Sequence, residues 1–239
     1  MEDSDRLTVH VVAGVLRDAD GRVLLAQRPA GRHLAGGWEF PGGKLERGED
    51  RLAGLVREIR EELDVEIGTA HPLMCTRHAY PDRRILLDVW AVTSYRGTPR
   101  ALEGQGLRWC SAEDLAGADL LPADRPLVTA LRLPARLRER VTDLYEVLSG
   151  SGSSHDGAAA GGVVWLGGGR LQGSLCADAA AAAAAEARGA QFLVLEGPLP
   201  AAALCAICGA ANVPVYARGM CLDDARALGA AGVSELAPV

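Results

Sequence analysis

Three glutamates spaced for one face of a helix carry the strongest chemical signal in this sequence. With residues 49–63 placed on a helix, Glu58, Glu61 and Glu62 stand at i, i+3 and i+4 and share one turn-spanning face. Leu52, Leu55, Val56, Ile59 and Leu63 then form an apolar arc beside that face, directed at a core. Three like charges this close disfavour an isolated helix, so something must offset them. A hard divalent cation does so, because magnesium prefers carboxylate, carbonyl and water oxygens and commonly shares its shell with substrate phosphates. The Gly42-Gly43 turn ahead of the helix lets backbone approach the same spot without a Cβ in the way. Arg57 can hold a glutamate or a phosphate in a two-pronged contact. Glutamates alone would read as a solvated acidic face; the glycine turn and the arginine at this spacing favour chemistry.

The elements that must position this helix lie on both sides of it. Residues 7–16 and 23–27 read as strands around the turn Asp18-Ala19-Asp20-Gly21, and 73–78 and 85–92 as a second hairpin across Tyr80-Pro81-Asp82-Arg83. Residues 107–110 make a further strand, Ser111 has the setting of a helix N-cap, and 125–133 form a helix. The composition then changes. Residues 136–148 read as a charged helical connector, and 149–162, rich in Gly, Ser and Ala, as a flexible linker. Beyond it, strands at 163–166, 171–176, 192–195, 213–217 and 233–236 alternate with helices at 179–188, 201–208 and 222–228, the pattern of parallel βα units. The expected division is therefore 1–134, a connector and linker over 135–162, and 163–239.

At 239 residues the chain has room for two small domains with a core each. Its net charge of -6 gives no general attraction to nucleic acid polymers or an acidic membrane surface, so a phosphate-bearing substrate must be met by local cations or metal. No apolar run reaches bilayer-spanning length, and the acidic start lacks the order of a signal peptide. The six cysteines show no disulfide-scaffold rhythm, and a reduced, cytoplasmic setting is expected. Cys205-Ala206-Ile207-Cys208 has no second such pair and no histidine at ligand spacing, so both cysteines are expected to be small buried residues.

Glycine, five residues, glutamate, seven residues, then Arg-Glu-apolar-x-Glu-Glu resembles the Nudix box, and Gly43 through Val65 follows it closely. One position departs: Asp64 stands where the box has a glycine that ends the helix in a left-handed turn, a role aspartate fills at modest cost. From about Val9 to Leu133 the chain is similar to the MutT branch of that family, including Trp38-Glu39-Phe40-Pro41-Gly42-Gly43. The resemblance implies an α/β/α Nudix sandwich with a mixed sheet. It implies Mg2+, with Mn2+ as a substitute, held by Glu58, Glu61, Glu62 and the Gly42 carbonyl, and by Glu103 as a further ligand or as the group that orients the attacking water. Arg57 completes the catalytic set, with Glu49 behind it as a partner that orients Arg57 or water. Arg28, Glu39, Lys44, Arg83 and Asp124 fall at substrate-binding positions. The implied reaction splits a nucleoside triphosphate at the β-phosphorus into monophosphate and pyrophosphate.

Which base is read stays open between two substrates. Relatives that remove oxidised guanine nucleotides carry asparagine in a Pro-Ala-Asn-x-Pro segment, where this chain has Pro122-Ala123-Asp124-Arg125-Pro126. Ionised aspartate only accepts hydrogen bonds, while a buried, protonated one also donates. The Ala-Asp-x-Pro arrangement resembles relatives acting on cytosine nucleotides. Oxidised purine triphosphates come first, CTP, dCTP or modified forms second, and Asp124 as a mere cap of the next helix is the plain alternative. His33, Arg77 and His78 border the nucleotide in such a fold, although surface histidines would look the same. Trp38 reads as core. A nucleotide-binding regulator without catalysis would be expected to lack one of the box acids.

From about Gly173 onward the sequence resembles the C-terminal part of thiamine phosphate synthase-like barrels, through Ser174-Leu175-Cys176-Ala177-Asp178, Pro214-Val215-Tyr216-Ala217 and Gly229-Ala230-Ala231-Gly232-Val233. This implies a partial βα, TIM-barrel-like segment. The expected Gly-Gly phosphate turn is reduced to Ala217-Arg218-Gly219, which favours an inactive remnant over a transferase. Its open sheet edges leave a packing role or a homodimer open.

Overall fold

The computed structural model describes residues 8–133, 135–139, 161–166, 169–197 and 199–236. They divide into two compact units, one drawn from Met1–His71 and Cys75–Val128, the other from Pro72–Met74 and Thr129–Val239.

The first unit runs β1 (Thr8–Val15), β2 (Val23–Gln27), β3 (Trp38–Glu39), β4 (Gly42–Lys44), α1 (Arg51–Leu63), β5 (Glu66–Ala79), β6 (Arg84–Arg96), β7 (Gly106–Cys110), α2 (Ala112–Gly117) and α3 (Arg125–Arg132). Its larger sheet has the order β4-β1-β6-β5 and is mixed, β1 lying antiparallel to β4 and parallel to β6. A second, antiparallel sheet is ordered β3-β2-β7. The turn at 18–21 forms, with the Gly21 N–H donating to the Asp18 carbonyl at 3.0 Å, but β1 and β2 do not continue as a hairpin ladder. A strand has two edges: those of β1 are taken by β4 and β6, and those of β2 by β3 and β7. The second expected hairpin, β5 with β6, is present and longer than its apolar runs suggested.

Side-chain alternation along β1 separates two environments. Val9, Val11 and Ala13 face a cavity, together with Ile85 and Leu87 of β6. Val12 faces the core against Leu55, Ile59, Leu63 and Trp90. Asp50 caps the start of α1, its carboxylate accepting from the amides of Leu52 and Ala53. Asp64 ends the helix with φ 57° and ψ 40°, the left-handed role expected of it. The buried stripe of α1 is narrower than the expected arc. Leu55, Ile59 and Leu63 are fully buried, contributing about 1.5–3 kcal/mol each, while Leu52 and Val56 are 38% and 37% exposed. Leu52 falls in the first turn of α1, seven residues before Ile59 on the same face, and Val56 falls at the edge of the arc, and both are left exposed.

The second unit contains β8 (Arg136–Glu139), β9 (Gly161–Leu166), β10 (Gly169–Cys176), α4 (Ala179–Ala187), β11 (Phe192–Leu195), α5 (Ala201–Ala210), β12 (Val215–Arg218), α6 (Leu222–Ala227) and β13 (Gly232–Leu236). Its sheet has the order β8-β13-β12-β11-β10-β9. From β10 to β13 the strands are parallel sequential neighbours with a helix between each pair, as the alternation predicts. Two expectations fail here. Arg136–Glu139 is strand, parallel to β13, in place of the start of a helical connector; alternating charged and apolar residues serve an edge strand as well as a helix. Gly161 and Gly162 belong to β9, which pairs antiparallel with β10, in place of the end of a linker. The rest of the expected connector and linker lies outside the described residues. The core is small-residue packing: Ala182, Ala185, Ala211, Ala217, Ala225 and Ala230 sit among Leu193, Leu195, Leu204 and Ile207. Cys208 is buried, but Cys205, one turn earlier on α5, is exposed, contrary to the expectation for both. Among the described residues no helix is long and apolar enough to cross a membrane.

Candidate active site

Arg57 is the hub of the acidic helix face. Its Nε and Nη2 grip both oxygens of Glu49 at 2.9 Å, its Nη1 reaches Glu58 at 2.9 Å and Glu61 at 3.2 Å, and Nη2 also donates to the Lys44 carbonyl at 3.2 Å. The Arg57 contact, helped by the Glu46 amide, holds the Glu49 carboxyl down to about 2. The guanidinium is correspondingly harder to deprotonate. A single arginine thus offsets the repulsion at Glu58 and Glu61, while Glu58 still acts on Glu62 by repulsion.

The glycines ahead of the helix are fixed by close approach. A Cβ on Gly43 would lie 2.2 Å from a Glu58 carboxylate oxygen, and one on Gly42, at φ 150°, would lie 2.1 Å from the Val12 carbonyl oxygen. The Gly42 N–H donates to Glu62 at 3.2 Å. Burial pushes the Glu62 carboxyl up to about 8; the Gly42 amide opposes the shift, and Glu103, Glu39 and Glu58 add to it by repulsion.

These groups border a cavity of about 400 Å³, within the range of small-molecule sites. Glu58, Glu62, Glu103, Lys44, Gly42 and Gly43 are among its lining residues. Apolar side chains of β1 and β6 form a wall, and Phe40, Leu121, Ala123 and Asp124 lie on the lining as well. Asp124 is 4% exposed, and its Oδ1 accepts the Phe40 N–H at 3.1 Å. Burial drives its carboxyl up to about 8, with Phe40 N–H pulling the other way, Glu39 adding and Arg28 opposing. Glu39 is raised for the same leading reason, with Arg28 opposing. Arg28 Nε contacts both Glu39 oxygens at 2.9 Å, and its Nη1 donates to the His33 carbonyl at 3.0 Å.

Not every predicted residue faces the cavity. Arg28, Glu39, Lys44, Arg83, Glu58, Glu62, Glu103, Asp124 and Gly42 do. Glu61 is 58% exposed, held by Arg57 outside the lining, and Glu49 and Arg57 stand behind the glutamates. Arg83 pairs with Asp82 at the rim. The Asp124 side chain turns to Phe40, and Trp38 is only part-buried, lying under the Arg108 guanidinium at 4.4 Å. Sequence reasoning assigned no role to Tyr80, whose ring packs on His33 and His78, or to Gln105; both line the cavity. Nothing marks a lone tyrosine in a turn, while Gln105 is signalled only by following Glu103-Gly104.

Among the described residues no three acidic, histidine or cysteine side chains are close enough to form a ready-made metal cage. The donor chemistry nevertheless fits a hard divalent ion. Glu103, Glu39 and Glu58 act on the part-buried Glu62 by repulsion, which a hard divalent ion would relieve.

The chain matches the family description "NUDIX domain" over residues 12–130. It is 43% identical over 122 residues to the CTP pyrophosphohydrolase of Escherichia coli (strain K12), which covers 51% of this chain and 90% of that protein. The chain belongs to the Nudix family. Two further relatives are named 8-oxo-dGTP diphosphatase: that of Proteus vulgaris, 40% identical over 92 residues (38% of this chain, 82% of that protein), and that of E. coli K12, 32% identical over 124 residues (52% and 96%). Nudix membership makes the chain a hydrolase of phosphoric anhydrides, in a family that uses divalent metal ions and nucleotide substrates. These matches cover about half of the chain.

Proposed function

We propose that the first unit is a magnesium-dependent nucleoside triphosphate pyrophosphohydrolase that converts an oxidised purine nucleotide such as 8-oxo-dGTP to the monophosphate and pyrophosphate. The observation that carries this reading is one cavity lined by Glu58, Glu62, Glu103 and Lys44 and also by the buried Asp124. Glu58, Glu61, Glu62, Glu103 and the Gly42 carbonyl would hold the metal. When bound, Mg2+, or Mn2+ in its place, neutralises phosphate charge and lowers the pKa of water. Arg57 orients Glu58 and Glu61 and is itself braced by Glu49. Lys44 and Arg28 meet the phosphates, Arg83 closes the rim, and Glu103 serves as a ligand or orients the attacking water.

A carboxyl kept protonated by burial offers one donor and one acceptor, which complements the N7–H and O6 of an 8-oxo-purine. The same pair complements N3 and the exocyclic amine of cytosine. A CTP, dCTP or modified-cytosine substrate is therefore the second reading, favoured by the 43% identity to a CTP pyrophosphohydrolase. Pyrophosphate release with Mg2+, compared by kcat/KM for 8-oxo-dGTP, dGTP, CTP, dCTP and 5-hydroxy-dCTP, tests both. Preference for 8-oxo-dGTP supports the first, preference for a cytosine nucleotide the second, and no turnover of any of them overturns both.

The second unit fits a shortened βα-barrel segment without activity of its own. Its singly wound run β10-β11-β12-β13, with no reversal of strand order, supports that reading.

A further inference from the structure

The last carbonyls of a helix have no partner within it, and on α1 they are taken by the loop that carries Glu103. The Leu63 carbonyl accepts the Arg100 N–H at 3.0 Å, and the Glu62 carbonyl accepts the Leu102 N–H at 3.1 Å. The Arg100 guanidinium also pairs with Asp64, the cap residue, at 2.8 Å. Gln105 adds the connection that reaches Glu103 itself. Its Nε2 donates to the Glu62 carbonyl at 3.0 Å, and its Oε1 accepts the Glu103 N–H at 2.8 Å. Gly104, at φ 74°, supplies the left-handed turn that accompanies this return of the side chain to the amide two residues earlier. Gln105 is 7% exposed, whereas the Glu103 side chain is 47% exposed and forms an ion pair with the Arg32 guanidinium at 3.7 Å. The Glu103 backbone is thus held firmly while its carboxylate is left available.

We infer that Gln105 is a positioning residue that fixes Glu103 against the C-terminal end of α1, so that the loop acid and the helix acids form one rigid set. An amide suits this task because both of its arms are used: a donor toward a carbonyl and an acceptor toward an N–H. The carbonyl it holds belongs to Glu62, whose own side chain lines the cavity, so a single residue anchors both acids. The inference rests on the proposed role of Glu103 in hydrolysis.

Two measurements on the full chain test it. In the metal-free protein, Gln105→Leu is expected to speed amide exchange at Leu102 and Glu103 by about tenfold, with the central α1 amides unchanged. Gln105→Glu, which keeps the size and one arm, gives the same readout should the leucine variant not fold. In turnover, Gln105→Leu is expected to lower kcat by about 10- to 100-fold with KM little changed, as loss of support for a ligand does. Combined with Glu103→Gln, it should lower kcat no further than Glu103→Gln alone. Unchanged exchange at the loop amides, or losses that multiply in the double variant, overturn the inference. If Glu103→Gln hydrolyses at the parental rate, the assigned role of Glu103 fails and the inference falls with it. The exchange result then still reports separately whether the clamp exists.

Discussion

The two units solve the packing problem in opposite ways. Among the described residues, the first unit buries Thr76, Asp88, Gln105 and Asp124, while the second buries Ser234 and the phenol of Tyr216. The second unit fills much of its core with alanines, among them Ala182 and Ala185 of α4 and Ala225 of α6, packed with residues of β11, β12 and β13. Burying a polar group costs free energy unless partners satisfy it. The first unit meets that cost with arrangements such as Arg57 across three glutamates and the Phe40 N–H on Asp124. Chemistry is found where a chain retains side chains that packing alone would replace with leucine or alanine.

The contrast can be broken first at the carboxylates. Glu58→Gln and Glu61→Gln are each expected to lower kcat for the preferred triphosphate by about 100-fold or more, because metal support of the transition state is worth several kcal/mol and each 1.4 kcal/mol is tenfold. Near-parental turnover by the Glu61 variant would remove this exposed residue from the metal set. Gly43→Ala should cost about tenfold in kcat, since its Cβ must displace the Glu58 carboxylate. Steady-state kinetics beside a thermal melt would separate that local displacement from unfolding.

The matching glycine in the second unit sharpens the comparison. A Cβ on Gly232 would lie 2.2 Å from the Ala135 carbonyl oxygen, so Gly232→Ala should destabilise that unit by about 1–3 kcal/mol, read in urea unfolding. Pyrophosphatase kcat should not change. A large fall in kcat would show that the second unit supports the site, contrary to the division of labour drawn above.

The last test concerns pH. The folded-state pKa of Asp124 lies near 8, above its ordinary value of 3.8, so between these values the native state retains a proton that the unfolded chain loses. Stability from this group is therefore full at low pH, declines as pH rises through that window and is lost above about 8. Asp124→Asn should flatten this part of the stability–pH curve in urea unfolding at pH 5, 7 and 8. An unaltered slope would mean that Asp124 is ionised in the folded protein.

Much of α1 was legible because its residues conflict with ordinary folding preferences. Three glutamates at helical spacing, a Gly-Gly turn and an arginine have few joint explanations, and the left-handed cap at Asp64 is implied by the resemblance to the Nudix box. Less legible was what depends on neighbours distant in sequence. The arc predicted over Leu52 and Val56 follows periodicity, but how far along the helix an apolar stripe is covered depends on the neighbours that meet it. The Asp124–Phe40 contact spans 84 residues, beyond any local pattern. In the second unit, the strand–helix alternation predicted the parallel run, but a short charged segment such as Arg136–Glu139 has no period long enough to separate strand from helix.

The two-sidedness of β1 has an evolutionary consequence. Val9, Val11 and Ala13 belong to the cavity wall and Val12 to the core beneath α1, so inserting or deleting one residue would exchange the two sets. Substitutions at Val9 or Ala13 can reshape the wall without disturbing the helix behind the sheet. The strand should therefore vary in composition while its length stays frozen, and lineages seeking new substrates would add residues in the turn at 80–83, where a longer rim leaves the register of β1 intact.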